Sequence, residues 1–178
     1  MCVNEMTLKY LRKIQDMIKS KHVLFFYQLW EVVMKLPDYI SKAEVSKVCK
    51  ELKIRDWTKL KEAKILPKEA EILLNLVNTE NMDIDPDQFL IGLEVELEHG
   101  IRFKDANVTN NHPIITGMIV LAHMKESLDY YRLLEVAELE GDLTKAIVAG
   151  NAKKVKDYYK RLAEAKIALA KAQIVQLE

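Results

Sequence analysis

Two short stretches hold most of the residues in this chain that could do chemistry. In "ELEHG", Glu96 and His99 stand three apart, on one face of a helix. In "LAHMKE", His123 and Glu126 repeat that spacing in the opposite order. If the two helices lie antiparallel, Glu-x-x-His on one meets His-x-x-Glu on the other. Two imidazoles and two carboxylates then converge on one divalent cation, a ligand set that suits zinc, iron or manganese. Helix pairs of this kind build the metal sites of carboxylate bundles. Four protein ligands make a closed structural site, and losing one to water leaves the open position that catalysis needs. The expected ligands are therefore Glu96, His99, His123 and Glu126, with Asp129 and Tyr130 behind them as outer support. A blander reading stands beside this one. Histidine near a helix C-terminus is favoured by the helix dipole alone, and Glu94 and Glu98 read most simply as solvent-facing.

The elements that must position these residues are helices. Apolar residues make up 49% of the 178 positions and charged residues 30%, with only 5 Gly and 4 Pro, too few for the turns of an all-β fold. The expected architecture is an all-α multi-helix bundle with a central helical hairpin and a long C-terminal helix. Leu8, Leu11, Ile14 and Ile18 mark a helix over 6–19. Val23, Phe26, Leu29, Trp30, Val33 and Leu36 mark a second over 22–36, apolar around most of its girth.

Ser41 opens the next helix through a capping pattern with Glu44, Asp56 caps a short turn, and Pro67 stands at the first position of a helix to about Val77. Asp85-Pro86-Asp87 begins the "ELEHG" helix, with Gly100 as its expected stop. Pro113 opens the "LAHMKE" helix, Ser127 recaps the chain, and Gly141 ends the helix that follows. Asp142 caps another, Gly150 ends it, and Asn151 caps the last. In that last helix Val155, Leu162 and Leu169 recur every seven residues, with Tyr158, Ala165 and Ala172 at the other seam position, the pattern of a helix awaiting a partner.

Charge divides the chain into three. Residues 1–82 hold 15 Lys/Arg against 11 Asp/Glu, residues 83–141 hold 4 against 12, and residues 142–178 hold 8 against 4. The expected organisation follows these bounds: an N-terminal helical region over 1–82, a central domain over 83–141 and a C-terminal helical extension over 142–178. An acidic centre favours cations or a basic protein partner. The basic stretch 42–64 lacks a turn glycine and a clear recognition helix, so nucleic-acid binding is the weakest of the readings. A zero net charge points the same way. No stretch is long and apolar enough to span a bilayer, and no secretory leader is legible. With two cysteines, Cys2 and Cys49, at no metal-like spacing, reduced thiols in a cytoplasmic setting are expected.

The stretch from about Phe89 to Leu139 resembles a small family of unknown function found in phage, bacterial and archaeal genomes. The resemblance rests on "GLEVELEHG", "NVTNNHP", "GMIVLAHMKE" and "LDYY", in that order. It implies special positions at Glu96, Glu98, His99, Asn107, Thr109, Gly117, His123, Glu126, Asp129, Tyr130 and Tyr131. Asn107 and Thr109 join the outer support on this ground. Asn111 and His112 stand where the family usually has two acids. The resemblance carries no biochemical activity. No phosphate-binding glycine loop, serine elbow or supported Cys-His pair is present. Two classes of function remain: a small helical metal-binding protein, or a structural or interaction protein of a virus or mobile element. In the second class the helices at 22–36 and 152–177 form oligomer contacts.

Overall fold

The computed structural model describes residues 40–177, which form six α-helices, one 3-10 turn and no strand. The helices are α1 (Lys42–Glu51), α2 (Pro67–Val77), α3 (Pro86–Arg102), α4 (Pro113–Glu126), α5 (Tyr130–Val148) and α6 (Ala152–Val175), with the turn at Trp57–Lys59 between α1 and α2. The all-α class and the long C-terminal helix are as the sequence implies. The helices expected over 6–19 and 22–36, and Cys2, lie outside the described residues. The chain divides into a unit Met1–Tyr39 and a unit Ile40–Glu178, and the second is described here.

Helix starts follow local chemistry closely. Pro67, Pro86 and Pro113 each take the first turn, where an amide proton would find no partner anyway. Ser41 Oγ accepts from Glu44 N–H at 3.1 Å, Asp85 Oδ1 from Asp87 N–H at 2.9 Å, and Asn151 Oδ1 from Lys154 N–H at 3.1 Å. The cap of α4 is His112, whose Nδ1 accepts from Ile115 N–H at 3.4 Å. Burial pushes the His112 pKa down, which keeps the ring neutral and its nitrogen an acceptor.

Helix ends depart from expectation in three places. Gly100 lies inside α3, which runs on to Arg102. A side chain there would strike Asn111 Oδ1 and the amide of Asn107, so the glycine provides clearance for the following loop and is not a stop. Gly141 lies inside α5 and meets nothing within 4 Å, so α5 continues through it and Asp142 caps nothing. Ser127 is not the cap of α5 either; Asp129 holds that position, and Ser127 Oγ accepts its N–H at 3.2 Å. Gly150, at φ +63°, does close the turn into α6.

One core spans α1 to α4 and the start of α5. Val45, Cys49, Trp57 and Leu73, from before residue 82, pack in one cluster with Phe89, Leu93, Leu97, Val120, Met124 and Tyr131. Gly92 permits the closest approach in it, because a Cβ there would lie 2.7 Å from Val120 Cγ1 and clash with the Tyr131 ring. At the edge of this core the part-exposed Arg55 grips the buried Glu69 through Nε at 3.0 Å and a terminal nitrogen at 2.6 Å, and the backbone N–H of Arg55 and Leu66 donate to the same carboxylate. A second, smaller cluster joins α5 to α6 through Leu139, Leu162 and Ala165, flanked by Val136, Leu143 and Tyr158. The seam of the last helix therefore finds its partner within the same chain.

The charge asymmetry along the sequence is partly cancelled by folding. Glu94, expected to face solvent, receives Lys64 Nζ at 2.9 Å and the Ile65 N–H at 3.1 Å. Glu140 pairs with Lys166 of α6 at 2.7 Å, and Asp85 with Arg132 at 2.8 Å. Glu94 and Glu140 of the acidic centre thus take cations from the basic segments on either side, while Asp85 is paired within the centre itself.

Candidate functional site

The structure brings Glu96, His123, Tyr130 and Tyr131 together. Glu96 reaches out of α3, His123 out of α4, and the tyrosines come from the first turn of α5. Glu96 Oε1 lies 3.2 Å from His123 Nδ1 and accepts the Tyr131 hydroxyl at 3.0 Å. Nδ1 and the Tyr131 oxygen are 3.1 Å apart. The Tyr130 ring stacks on the imidazole at 4.2 Å between centroids and 6° between planes. Burial, and then the Glu96 carboxylate, push the Tyr131 pKa up, so it stays a phenol and donates its one proton. That proton goes to Glu96. Nδ1 must then carry a proton of its own to sit beside two oxygens, which in the neutral ring leaves Nε2 as the acceptor.

The other members of the expected quartet are not gathered here. His99 and Glu126 are exposed, and among the described residues no three His, Cys, Asp or Glu side chains cluster as they would around a metal ion. The helix crossing gives the reason. Phe89 meets Gly117, Gly92 meets Val120 and Glu96 meets His123, so contacts advance together along both helices. An antiparallel seam runs them in reverse and would set His99 beside His123.

The expected outer residues are split. Tyr130 lies against His123, but Asp129 turns away and is held by Arg132 at 2.8 Å and Gln176 Nε2 at 2.7 Å. Asn107 closes the end of α3 by donating to Gly100 O and Asn111 Oδ1, both at 2.9 Å, and Thr109 braces the same loop. Tyr131 is the partner that reasoning on ligand spacing missed, although the "DYY" motif carried it. Cys49 is buried in the core and its thiol pKa is raised by that burial, so it is no nucleophile.

A second feature lies on the hairpin that α5 and α6 form, near the turn between them. Along α6, Tyr159, Ala163, Ile167 and Ile174 form a stripe of helical period that faces away from α5. Tyr159 is 67% exposed, Ile167 56% and Ile174 57%, while Ile147 and Val148 at the end of α5 are 59% and 84% exposed. Ile147, Tyr159, Ala163 and Ile167, with Lys156 and Lys160, border a groove of about 880 Å³. This second stripe also escaped the sequence reading, although its four-residue period is legible beside the heptad seam. No helix among the described residues is long and apolar enough to cross a membrane.

The fold and these sites define a small all-α protein with a closed core and an apolar-faced helical hairpin. The family described as "Protein of unknown function (DUF5661)" matches residues 45–140, more than half of the chain, and the protein belongs to that family. The match begins well before Phe89, which accords with a core that starts at Val45. No curated protein and no solved structure matches the chain.

Proposed function

We propose that this is a non-enzymatic structural or interaction protein that docks another macromolecule through the outer face of the α5–α6 hairpin. One observation carries the reading: α6 has two apolar faces, and among the described residues only one is covered. Leu162 and Ala165 are buried against Leu139, whereas Tyr159, Ile167 and Ile174 remain in water. Contiguous exposed apolar residues of this size mark contact surfaces. A basic partner at 83–141 has less to recognise, because Glu94, Asp85 and Glu140 are already paired in the chain. A cytoplasmic setting, in a microbe or in a cell carrying its virus or mobile element, belongs to the same proposal. The test is a photo-crosslinking amino acid placed at Tyr159 in cells of the source organism. A covalent adduct of any defined mass is expected there and not at exposed Lys68; no adduct at Tyr159 would sink the reading.

A second reading concerns His123. A histidine whose Nδ1–H is held by a carboxylate presents Nε2 in the manner of metal-bound imidazoles. In it His123 is the ligand for zinc, iron or manganese, and Glu96 and Tyr131 orient it. Elemental analysis of purified protein and of His123→Ala and His99→Ala variants tests it. Metal near unit stoichiometry that is lost with His123 supports it, and metal-free protein refutes it.

A further inference from the structure

The further inference rests on the docking reading and names the occupant. We propose that the outer face of α6 is covered by a second copy of this chain, with the two α6 helices antiparallel and a two-fold axis beside Ala163. Three observations lead there.

The stripe is symmetric in sequence. Tyr159 and Ile167 stand four residues to either side of Ala163, and Ala152 and Ile174 stand eleven to either side. At about 1.5 Å per residue these are offsets of roughly 6 and 16 Å along the helix. A two-fold contact needs a surface that is its own complement. Reversing α6 on itself seats Tyr159 against the partner's Ile167, and Ile174 against the partner's Ala152. Alanine falls at the crossing point, where the backbones must come closest.

The edge charges are complementary in this arrangement and in no parallel one. Lys160 and Glu164 flank the stripe on one side, are both strongly exposed, and make only a 3.7 Å pair within the helix. In the antiparallel pair each Lys160 lies beside the partner's Glu164, once on either side of the axis. A parallel pair would set lysine against lysine and glutamate against glutamate, which repels.

The docked face is also separate from the seam. Tyr158, Leu162 and Ala165 face α5, so a second copy can be accepted without opening the hairpin. Beyond Lys160 and Glu164, α6 carries six further Lys/Arg and only Asp157 as an acid. These cations repel across the axis, so salt tightens the dimer by screening them. An acidic peptide or an anionic membrane at the same face would be held more weakly as salt rises.

The experiment uses the full chain in a Cys2→Ser background. Light scattering should give twice the chain mass, with dimer favoured by added salt. Ala163→Cys should form a disulfide-linked dimer under mild oxidation, because the two sulfurs meet at the axis, whereas Ala168→Cys on the far side of α6 should not. Tyr159→Glu with Ile167→Glu should halve the mass while the circular-dichroism spectrum stays helical. A chain that is monomeric at the highest workable concentration would overturn the proposal. So would a dimer that Ala163→Cys fails to link, or that salt dissociates. An adduct at Tyr159 of any mass other than twice the chain would also overturn it, and would leave the docking reading standing.

Discussion

The body built from α1 to α4 and the hairpin of α5 and α6 use their apolar residues in opposite ways. The body gathers fourteen buried residues into one cluster around Trp57, Phe89 and Leu93. The hairpin's own cluster holds three, Leu139, Leu162 and Ala165, with Ala146 buried besides, and Ile147, Val148, Tyr159, Ile167 and Ile174 are left exposed. Stability comes chiefly from apolar area removed from water. The body is therefore where the fold is held, and the hairpin buries little of its apolar surface.

The largest effect expected to sharpen this contrast is Phe89→Ala. Its ring is wholly buried, and the loss should be about 3–5 kcal/mol of unfolding free energy by denaturant titration. Glu69→Ala should cost about 2–3 kcal/mol, because it removes the buried carboxylate that accepts from Arg55 and from the Leu66 N–H, while the part-exposed guanidinium turns to water. Leu162→Ala should cost less, about 2 kcal/mol, since the thin α5–α6 seam can partly close over the gap. Equal costs for Phe89 and Leu162 would break the comparison.

The glycines provide a smaller and signed test. Gly92→Ala drives a methyl into Val120 and Tyr131 and should destabilise by about 1–3 kcal/mol. Gly141→Ala meets nothing within 4 Å in mid-helix and should stabilise by about 1 kcal/mol. Both are read as shifts in melting temperature, and like signs would contradict the packing described.

The smallest effect is that of pH. Burial pushes the Glu69 pKa up, but the Arg55 guanidinium and the backbone donors outweigh it and hold the carboxyl below its usual range. The Thr58 hydroxyl, with Lys59 and Ser46, holds Asp56 down to about 2. Both groups bind protons more readily when unfolded, so their stabilisation is complete above the ordinary carboxylate range. It is lost as pH falls from about 4 towards 2. Glu69→Gln should flatten the acid limb of stability against pH. An unchanged slope would show that the Arg55 pair is not formed in solution.

How much was legible can be judged residue by residue. Helix starts could be read because a cap is a contact among four consecutive residues: Ser41 with Glu44, Asp85 with Asp87, Asn151 with Lys154. Gly100 and Gly141 could not be read as stops, because a glycine ends a helix only if its backbone turns left-handed. Only Gly150 does so among the described glycines. Of the candidate quartet, spacing correctly placed Glu96 and His123 on facing helices. It did not foresee that the crossing would set Glu96 against His123 and leave His99 and Glu126 outside.

Taken alone, the amino-acid order determined what local geometry decides: the helical class, the caps at Ser41, Asp85 and Asn151, and the apolar faces that had to be buried somewhere. Tertiary structure alone decided which faces met. Whether α6 packed on its own chain, whether Glu94 faced water, and which tyrosine reached Glu96 all depend on contacts between residues up to some thirty or more positions apart. Helical periodicity specifies that a face is apolar and says nothing of what will cover it. That is why one stripe of α6 is closed by α5 while the other stays exposed among the described residues.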